Sequence, residues 1–406
     1  MISEQAQNTR LDWRILSWLR GLAAFYVVIN HSRGALFSDS TMYAQHVNPK
    51  ENWAWYEWLQ MTIMNHTGLG SEFVILFFLL SGFSIAHSLR SNTNNVSFYK
   101  RRLVRLYPPY ILGILWSFVV IFFIWAFVPY VYYNEAEGFI SIKEVFEKIS
   151  HLPTLLSNLF YMPKDNHLTH QYWSLPFEVV FYLLAPWMIS KFRLFGTGML
   201  FLYVAGWMVY GKAYHNPDHT NTLFQFSIEY GIYFIVGILF YKYKDKFISS
   251  FKLSKTAAVI AILVLFEAMV VAKGYLFGGE HNKLTGIMTV AFTYLLLFSA
   301  LKYNFRIKWL EKIGNYSYTL YVTHWATIFL VKIIAVKLGY NYYYIHSLYF
   351  WYLGIPICLA TSYLLYLLVE KPSNQFVERL RKQPDTPVKH GGTVALPARG
   401  AKIAQS

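Results

Sequence analysis

Among 406 residues there is a single cysteine, Cys358, and it lies inside an apolar run. That excludes an intrachain disulfide and any metal site built on several cysteines. Charge is scarce as well. Only 14% of residues are Asp, Glu, Lys or Arg, little more than half the share in an ordinary soluble domain. Hydrophobic residues supply 55% and aromatics 19%. This composition excludes a soluble enzyme folded around one core and points to a polytopic membrane protein. No small-residue cleavage site follows the polar start, Met1 to Asp12, and the first apolar stretch. The first span is therefore expected to stay in the mature protein. No internal repeat is evident, which counts against a transporter built from inverted repeats.

Ten apolar segments can be read, at about 15–31, 70–89, 110–129, 173–190, 197–211, 223–241, 256–272, 284–301, 314–336 and 345–369. Most have the roughly 17–25 residues that cross a bilayer. The expected fold is thus all-α, a polytopic bundle of about ten transmembrane helices. Tyr and Trp gather near the span ends, as interfacial belts require. The net charge of +15 invites a nucleic-acid reading, but its distribution is that of a topology signal. Basic residues collect in every connection that follows an even-numbered span, while Glu135, Glu137, Glu144, Glu147 and Asp165 share one loop on the other side. The positive-inside rule then places both termini in the cytoplasm, with no role for nucleic acid.

Two long outer connections are expected, about 32–69 and 130–172. The second carries a short amphipathic helix near Ser141 to Leu156, then a polar turn with His167 and His170. Such loops either shape access for a bulky substrate or cap the bundle. Residues 1–372 read as one transmembrane domain. The segment 373–406 is charged, then rich in Gly, Pro and Ala, and reads as a disordered cytoplasmic tail.

Several polar groups sit in or beside these spans. Arg20 and His31 lie in one apolar helix, eleven steps apart. At 100° per residue they share a stripe to within about 20°, roughly 16 Å apart along the axis. A cation and an imidazole on one stripe mark either a polar pathway or a snorkelling Arg with a His at the span end. Arg102 and Arg105, in Arg102-Leu-Val-Arg105-Leu-Tyr107-Pro108-Pro109, share a helix face. Their guanidinium forks suit a phosphorylated ligand, or anionic lipid headgroups. The two prolines constrain the entry to the third span. Glu178, in Gln171-Tyr-Trp173-Ser-Leu-Pro-Phe-Glu178, is a carboxylate one turn into a span. It either orients an imidazole or holds a hydroxylated substrate, or else forms a structural ion pair. Glu72 and Glu229 are comparable, weaker cases. Ser81-Gly82 permits close helix packing, with a ligand against the backbone as the alternative. Tyr321 and His324 share a face of the ninth span, where His324 is either part of a polar cavity or a packed, hydrogen-bonded histidine.

Taken in order, six motifs resemble the acyltransferase type 3 family of ten-span membrane acyltransferases. They are Arg20-X10-His31, Phe77-Phe-Leu-Leu-Ser81-Gly-Phe83, Arg101-Arg-Leu-Val-Arg105-Leu-Tyr-Pro108, Tyr172-Trp-Ser-Leu-Pro-Phe-Glu178, Gly314-Asn-Tyr-Ser-Tyr-Thr-Leu-Tyr-Val-Thr-His324 and Glu370-Lys-Pro372. The resemblance covers about residues 10–372. Pro176-Phe177 stand where the family more often has Ser-Val. The resemblance implies transfer of an acyl group, usually acetyl, from cytoplasmic acyl-coenzyme A to a hydroxyl of a surface or exported carbohydrate, free or lipid-linked. It also implies residence in the bacterial inner membrane. It makes His31 catalytic with Arg20 as its companion, and sets Arg102 and Arg105 at the donor. Ser81 and Tyr107, in the same motifs, are expected beside the donor, Glu178 in the catalytic set, and Trp173, Tyr321 and His324 at the acceptor. No permanently bound cofactor or metal is expected. Two other functions stay open: a transmembrane acyl carrier feeding a partner enzyme, and a glycan or solute transporter lined by Arg20, Glu178 and His31.

Overall fold

The computed structural model describes residues 12–37, 40–91, 95–133, 142–162, 167–210, 221–276, 282–340 and 347–382. The chain begins with α1 (Trp13–Leu36), α2 (Ser40–His46), α3 (Trp55–Asn65), α4 (Gly70–Ser91) and α5 (Asn95–Phe127). Next come α6 (Pro129–Tyr133), α7 (Ile142–Ser150), α8 (Leu152–Leu159), α9 (Leu175–Ser190) and α10 (Phe192–Tyr210). Then follow α11 (Thr222–Gln225), α12 (Gly231–Lys242), α13 (Lys244–Ser250), α14 (Lys255–Val271) and α15 (Lys283–Tyr303). The chain closes with α16 (Lys308–Gly314), α17 (Ser317–Lys337), α18 (Leu348–Leu368) and α19 (Glu370–Lys382).

The architecture is an all-α polytopic bundle, and among the described residues nine helical stretches are long and apolar enough to cross a membrane. The remaining expected span is α1, a continuous helix that also carries Arg14, Arg20 and Arg33. In lipid every backbone group must be satisfied within the helix, and the outer surface must be apolar. The apolar outer surface is plain on two helices. α10 turns Phe201, Val204, Met208 and Val209 outward, and α14 does the same with Ile260, Leu263 and Val264.

α1 sits at the centre, packed against α4, α16, α17 and α18. α4 packs along α12, and α17 lies between α5 and α18. The α4–α12 contact is made by paired glycines. A Cβ on Gly82 would stand 2.2 Å from the Phe234 carbonyl oxygen, and one on Gly237 would stand 2.1 Å from that of Leu79. Only hydrogen at both positions lets the backbones approach this closely, which is why Ser-Gly occurs there.

The helix face read for Arg102 and Arg105 belongs to one long helix: α5 runs unbroken from Asn95 through Pro108 and Pro109. The two prolines remove the bonds that would occupy the carbonyls of Val104 and Arg105, yet packing against α17 and α19 keeps the helix continuous. The amphipathic segment near Ser141 to Leu156 is two helices, α7 and α8, separated at His151, with Pro153 in the first turn of α8. Past Pro372 the chain continues as α19, which runs to Lys382. The rest of the expected tail, 383–406, lies outside the described residues.

The loop 32–69 is built on α2 and α3. Phe37, Tyr43, Trp53, Met61, Met64 and Trp351 form a separate apolar cluster that closes this end of α1. Tyr43 and Asn48 both donate to Glu57 Oε1, at 2.9 Å each. The outer face of α3 leaves Trp55, Tyr56, Trp58 and Leu59 exposed, a composition suited to the membrane–water boundary.

Candidate active site

Two adjacent cavities enter the bundle beside the start of α1. The wider one, about 570 Å3, is bounded by Trp13, Ser17, Ser84, His87, Arg101 and Glu378. The narrower one, about 70 Å3, lies deeper, between Phe77, Ser81, Ser174, Glu178, Tyr318 and Tyr321. Arg20, Arg102 and Arg105 belong to the walls of both. Three guanidinium groups therefore stand at the boundary shared by the two cavities.

Each arginine is placed by ordinary helix geometry. Arg102 and Arg105 lie one turn apart on α5 and face the same way. Arg102 rests over the rings of Phe98 and Tyr182, 5.7 and 5.6 Å from their centroids, an arrangement that holds a cation over π faces. Arg20 Nη2 donates to Ser84 Oγ at 2.9 Å, and Ser84 donates in turn to the Leu80 carbonyl at 2.7 Å. Arg20 is thus tied into the interior rather than extended to the headgroups.

Glu178 closes the inner cavity from α9. Its Oε1 accepts from Ser81 Oγ at 3.3 Å and from the Tyr182 phenol, one turn along the same helix. Of the readings open for Glu178, an imidazole partner is not found among the described residues; hydroxyls are its partners. Tyr321, on α17, donates to the Gln171 carbonyl at 2.5 Å and sits 2.6 Å from Ser174 Oγ. Tyr172 adds a bond to the Val322 carbonyl at 2.8 Å. The Gln171–Ser174 segment, a 3-10 stretch leading into α9, is therefore pinned to α17 and fixes where Glu178 begins its helix.

Beyond Tyr321, one turn along α17, lies His324, with ring centroids 6.0 Å apart. His324 is fully buried and meets His31 across the α1–α17 interface: His31 Nδ1 is 2.8 Å from His324 Nε2. The rings are nearly coplanar, 13° apart, with centroids separated by 5.1 Å. That is an end-to-end, in-plane contact, as a nitrogen–nitrogen hydrogen bond requires. Trp325 stands edge-on to His31 at 4.9 Å and lies 5.6 Å from His170.

The structure thus brings His31 and His324 together at one end of α1, and Arg20, Arg102, Arg105, Ser81, Glu178 and Tyr321 together around the inner cavity. It does not bring Tyr107 or Trp173 into the lining of either cavity. Tyr107 faces Tyr161, and Trp173 packs on Phe177 and Tyr230. The weaker carboxylates are structural. Glu72 is buried against Lys273, with Nζ–Oε2 2.6 Å, and accepts from Thr285 at 2.9 Å. Glu229 is buried against Lys283 at 3.1 Å. Among the described residues, no group of three or more His, Cys, Asp or Glu side chains could hold a metal ion.

The family model described as an acyltransferase domain matches residues 13–367. The chain belongs to the acyltransferase type 3 family. As a member of that family it is also similar to the acyltransferase MdmB of Streptomyces mycarofaciens, at 28% identity over 153 residues, 37% of this chain. The match spans 36% of that relative's length. No solved structure matches this acyltransferase-family chain.

Sequence reasoning missed Tyr182, Tyr318, Ser84, His87 and Arg101 as cavity residues. Tyr182 carried a readable signal: it lies four residues after Glu178, on the same helix face. Ser84 and His87 lie three and six residues past Ser81 on α4 and line the wider cavity, one helix turn after another on the same side.

Proposed function

We propose that this protein is a membrane acyltransferase that moves an acetyl or other short acyl group from cytoplasmic acyl-coenzyme A to a hydroxyl of a surface or exported carbohydrate. One observation carries the reading. A single helix, α1, presents Arg20 to an arginine-ringed cavity at one end and His31, paired with His324, at the other. The spacing is roughly 16 Å of helix. Acyl-coenzyme A is a polyanion at one end and a thioester at the tip of a long, thin arm. The wide cavity suits the phosphorylated end, held by Arg102 and Arg105 as forked cations hold phosphate. The narrow inner cavity suits the arm. The positive-inside distribution of the sequence supports a cytoplasmic mouth for the wide cavity.

In this reading the acceptor hydroxyl attacks the thioester carbonyl while His31 takes its proton, acting as a general base. The acyl–sulfur bond breaks as the acyl–oxygen bond forms. The proton on His31 then passes to the departing thiolate, and free coenzyme A leaves. Membership of the family supports the transfer chemistry, and the pairing of His31 with a second imidazole, His324, supports its role.

The test is direct. Purified protein in vesicles is incubated with labelled acetyl-coenzyme A and a panel of glycans, and the products are weighed by mass spectrometry. The expected result is one acyl mass added per modified sugar, lost in His31→Ala at unchanged membrane expression. Full activity of His31→Ala overturns the mechanism. Label that stays on the protein in the presence of every acceptor favours an acyl carrier, and glycan movement without donor consumption favours a transporter.

A further inference from the structure

The hydrogen bonds around His324 have only one consistent direction. Its Nδ1 lies 2.9 Å from the Leu320 carbonyl oxygen. A carbonyl only accepts, so Nδ1 carries the hydrogen. In neutral His324 the other nitrogen, Nε2, is then a bare lone pair. It faces His31 Nδ1 at 2.8 Å, so His31 Nδ1 must be the donor. The same logic continues through the His31 ring: with its hydrogen on Nδ1, His31 presents Nε2 unprotonated. Among the described residues that nitrogen has no hydrogen-bond partner, and His31 is only partly buried.

We infer that His324 is a positioning residue that fixes the tautomer and orientation of His31, so that Nε2 is the nitrogen that receives the acceptor's proton. The inference rests on the proposed acyl transfer and deepens it. A second-group hydrogen bond sets which nitrogen of a histidine is basic, and the orienting member of a catalytic triad works in the same way. Here the orienting group is a second imidazole, itself anchored to the helix backbone. When His31 is protonated during transfer, its Nδ1–H remains directed at the His324 lone pair. No proton need leave the pair for the cycle to close.

Packing supports the assignment. The fully buried His324 ring is held by the Leu320 carbonyl on its own helix and lies beside the Tyr321 ring, while the Cys358 thiol of α18, 3.5 Å from the His324 backbone carbonyl, fixes the helix at that point. A side chain this constrained aims its free nitrogen along one line, and His31 stands on that line.

Three variants separate this role from simple packing. The amide of glutamine reaches about as far as histidine Nε2, whereas that of asparagine reaches only as far as Nδ1. His324→Gln keeps an acceptor for His31, His324→Asn withdraws it, and His324→Leu fills the space without one. The expected result is a fall in kcat of roughly 10²–10⁴-fold for His324→Leu and His324→Asn, the range lost with a general base. KM for acyl-coenzyme A should be unchanged, and His324→Gln should keep activity within about tenfold of the parent. Equal activity in all three variants, or equal loss in all three with intact thermal unfolding, overturns the inference.

A second measurement needs no variant of His324. In protein labelled with 15N-histidine, the His31 signals are identified by their disappearance in His31→Gln. Protonated Nδ1 with unprotonated Nε2 is expected, and the opposite tautomer overturns the inference. If His31→Ala itself remains fully active, it is the acyl-transfer mechanism that fails. If His31→Ala is inactive while all three His324 variants remain active, only the role of His324 fails.

Discussion

Glu370, the first residue of α19, places Oε2 2.9 Å from the backbone nitrogen and 2.5 Å from the hydroxyl of Thr319, in the first turn of α17. The first turn of a helix has backbone N–H groups without intrahelical partners, and a carboxylate there also meets the positive end of the helix dipole. Glu370 therefore caps α17 from a distant part of the chain. This gives the Glu-Lys-Pro motif a physical reason: it anchors the helix that carries Tyr321 and His324. Glu370→Ala leaves a buried N–H without an acceptor, which costs about 1–3 kcal/mol. The expected outcome is a lower unfolding temperature in detergent, with Glu370→Gln closer to the parent because the amide oxygen still accepts.

The Gly82–Gly237 crossing makes a sharper prediction. A methyl at either position meets a backbone carbonyl well inside contact distance, and backbone cannot move aside as a side-chain tip can. Overpacking of this kind costs about 1–3 kcal/mol, occasionally more. Gly82→Ala and Gly237→Ala should each reduce the monodisperse fraction in fluorescence-detected gel filtration. Ser81→Ala, one residue away and facing the cavity, should not. A parent-like profile for both glycine variants would show that the two helices tolerate wider spacing.

Helix content, span positions and the arginine face of α5 could be read from the sequence, because each rests on local periodicity and composition. Long-range partners could not. His31 and His324 are 293 residues apart, and nothing in either segment names the other. The same is true of Glu72 and Lys273, 201 residues apart. There the local signal was misleading, since a carboxylate in a span invites a functional reading while its cation lies beyond a different helix. The prolines of α5 constrain the backbone before them, and which partners hold the helix through both, α17 and α19, is a matter of tertiary packing that no local pattern names. Tyr107 and Trp173 were drawn in by neighbouring motif residues, but adjacent positions on a helix point in different directions.

The buried Glu72–Lys273 pair offers a double-mutant cycle. Removing one partner leaves an uncompensated buried charge, at a cost of about 3–5 kcal/mol, whereas replacing both with apolar groups of similar volume is often close to neutral. Lys273→Met should strongly destabilise the protein, and Glu72→Leu with Lys273→Met should recover much of the loss. Lys273 sits in a π-helical turn, Ala272–Leu276, and Glu229 of the second pair lies in another, Phe226–Tyr230. A π-turn shifts the angular position of the residues that follow it. Thermal unfolding that is strictly additive across the cycle would show that the pair contributes no coupling.

The arginine ring is best tested through the donor's chemistry. If Arg102 and Arg105 hold the phosphorylated end of acyl-coenzyme A, their contribution is made equally in the ground and transition states. Loss of such uniform binding raises KM and leaves kcat unchanged. A hydrogen bond to a charged group contributes about 1.5–3 kcal/mol, so Arg105→Ala should raise KM for acetyl-coenzyme A by roughly ten- to a hundredfold, with a smaller effect at high salt. A short acyl-pantetheine thioester, which has the reactive arm but no phosphates, supplies the control. Its KM should be high with the parent protein and should not rise further with Arg105→Ala. An equal rise for both donors would mean that Arg105 acts on the arm or on the shape of the inner cavity, and phosphate recognition would then have to lie elsewhere in the wide cavity.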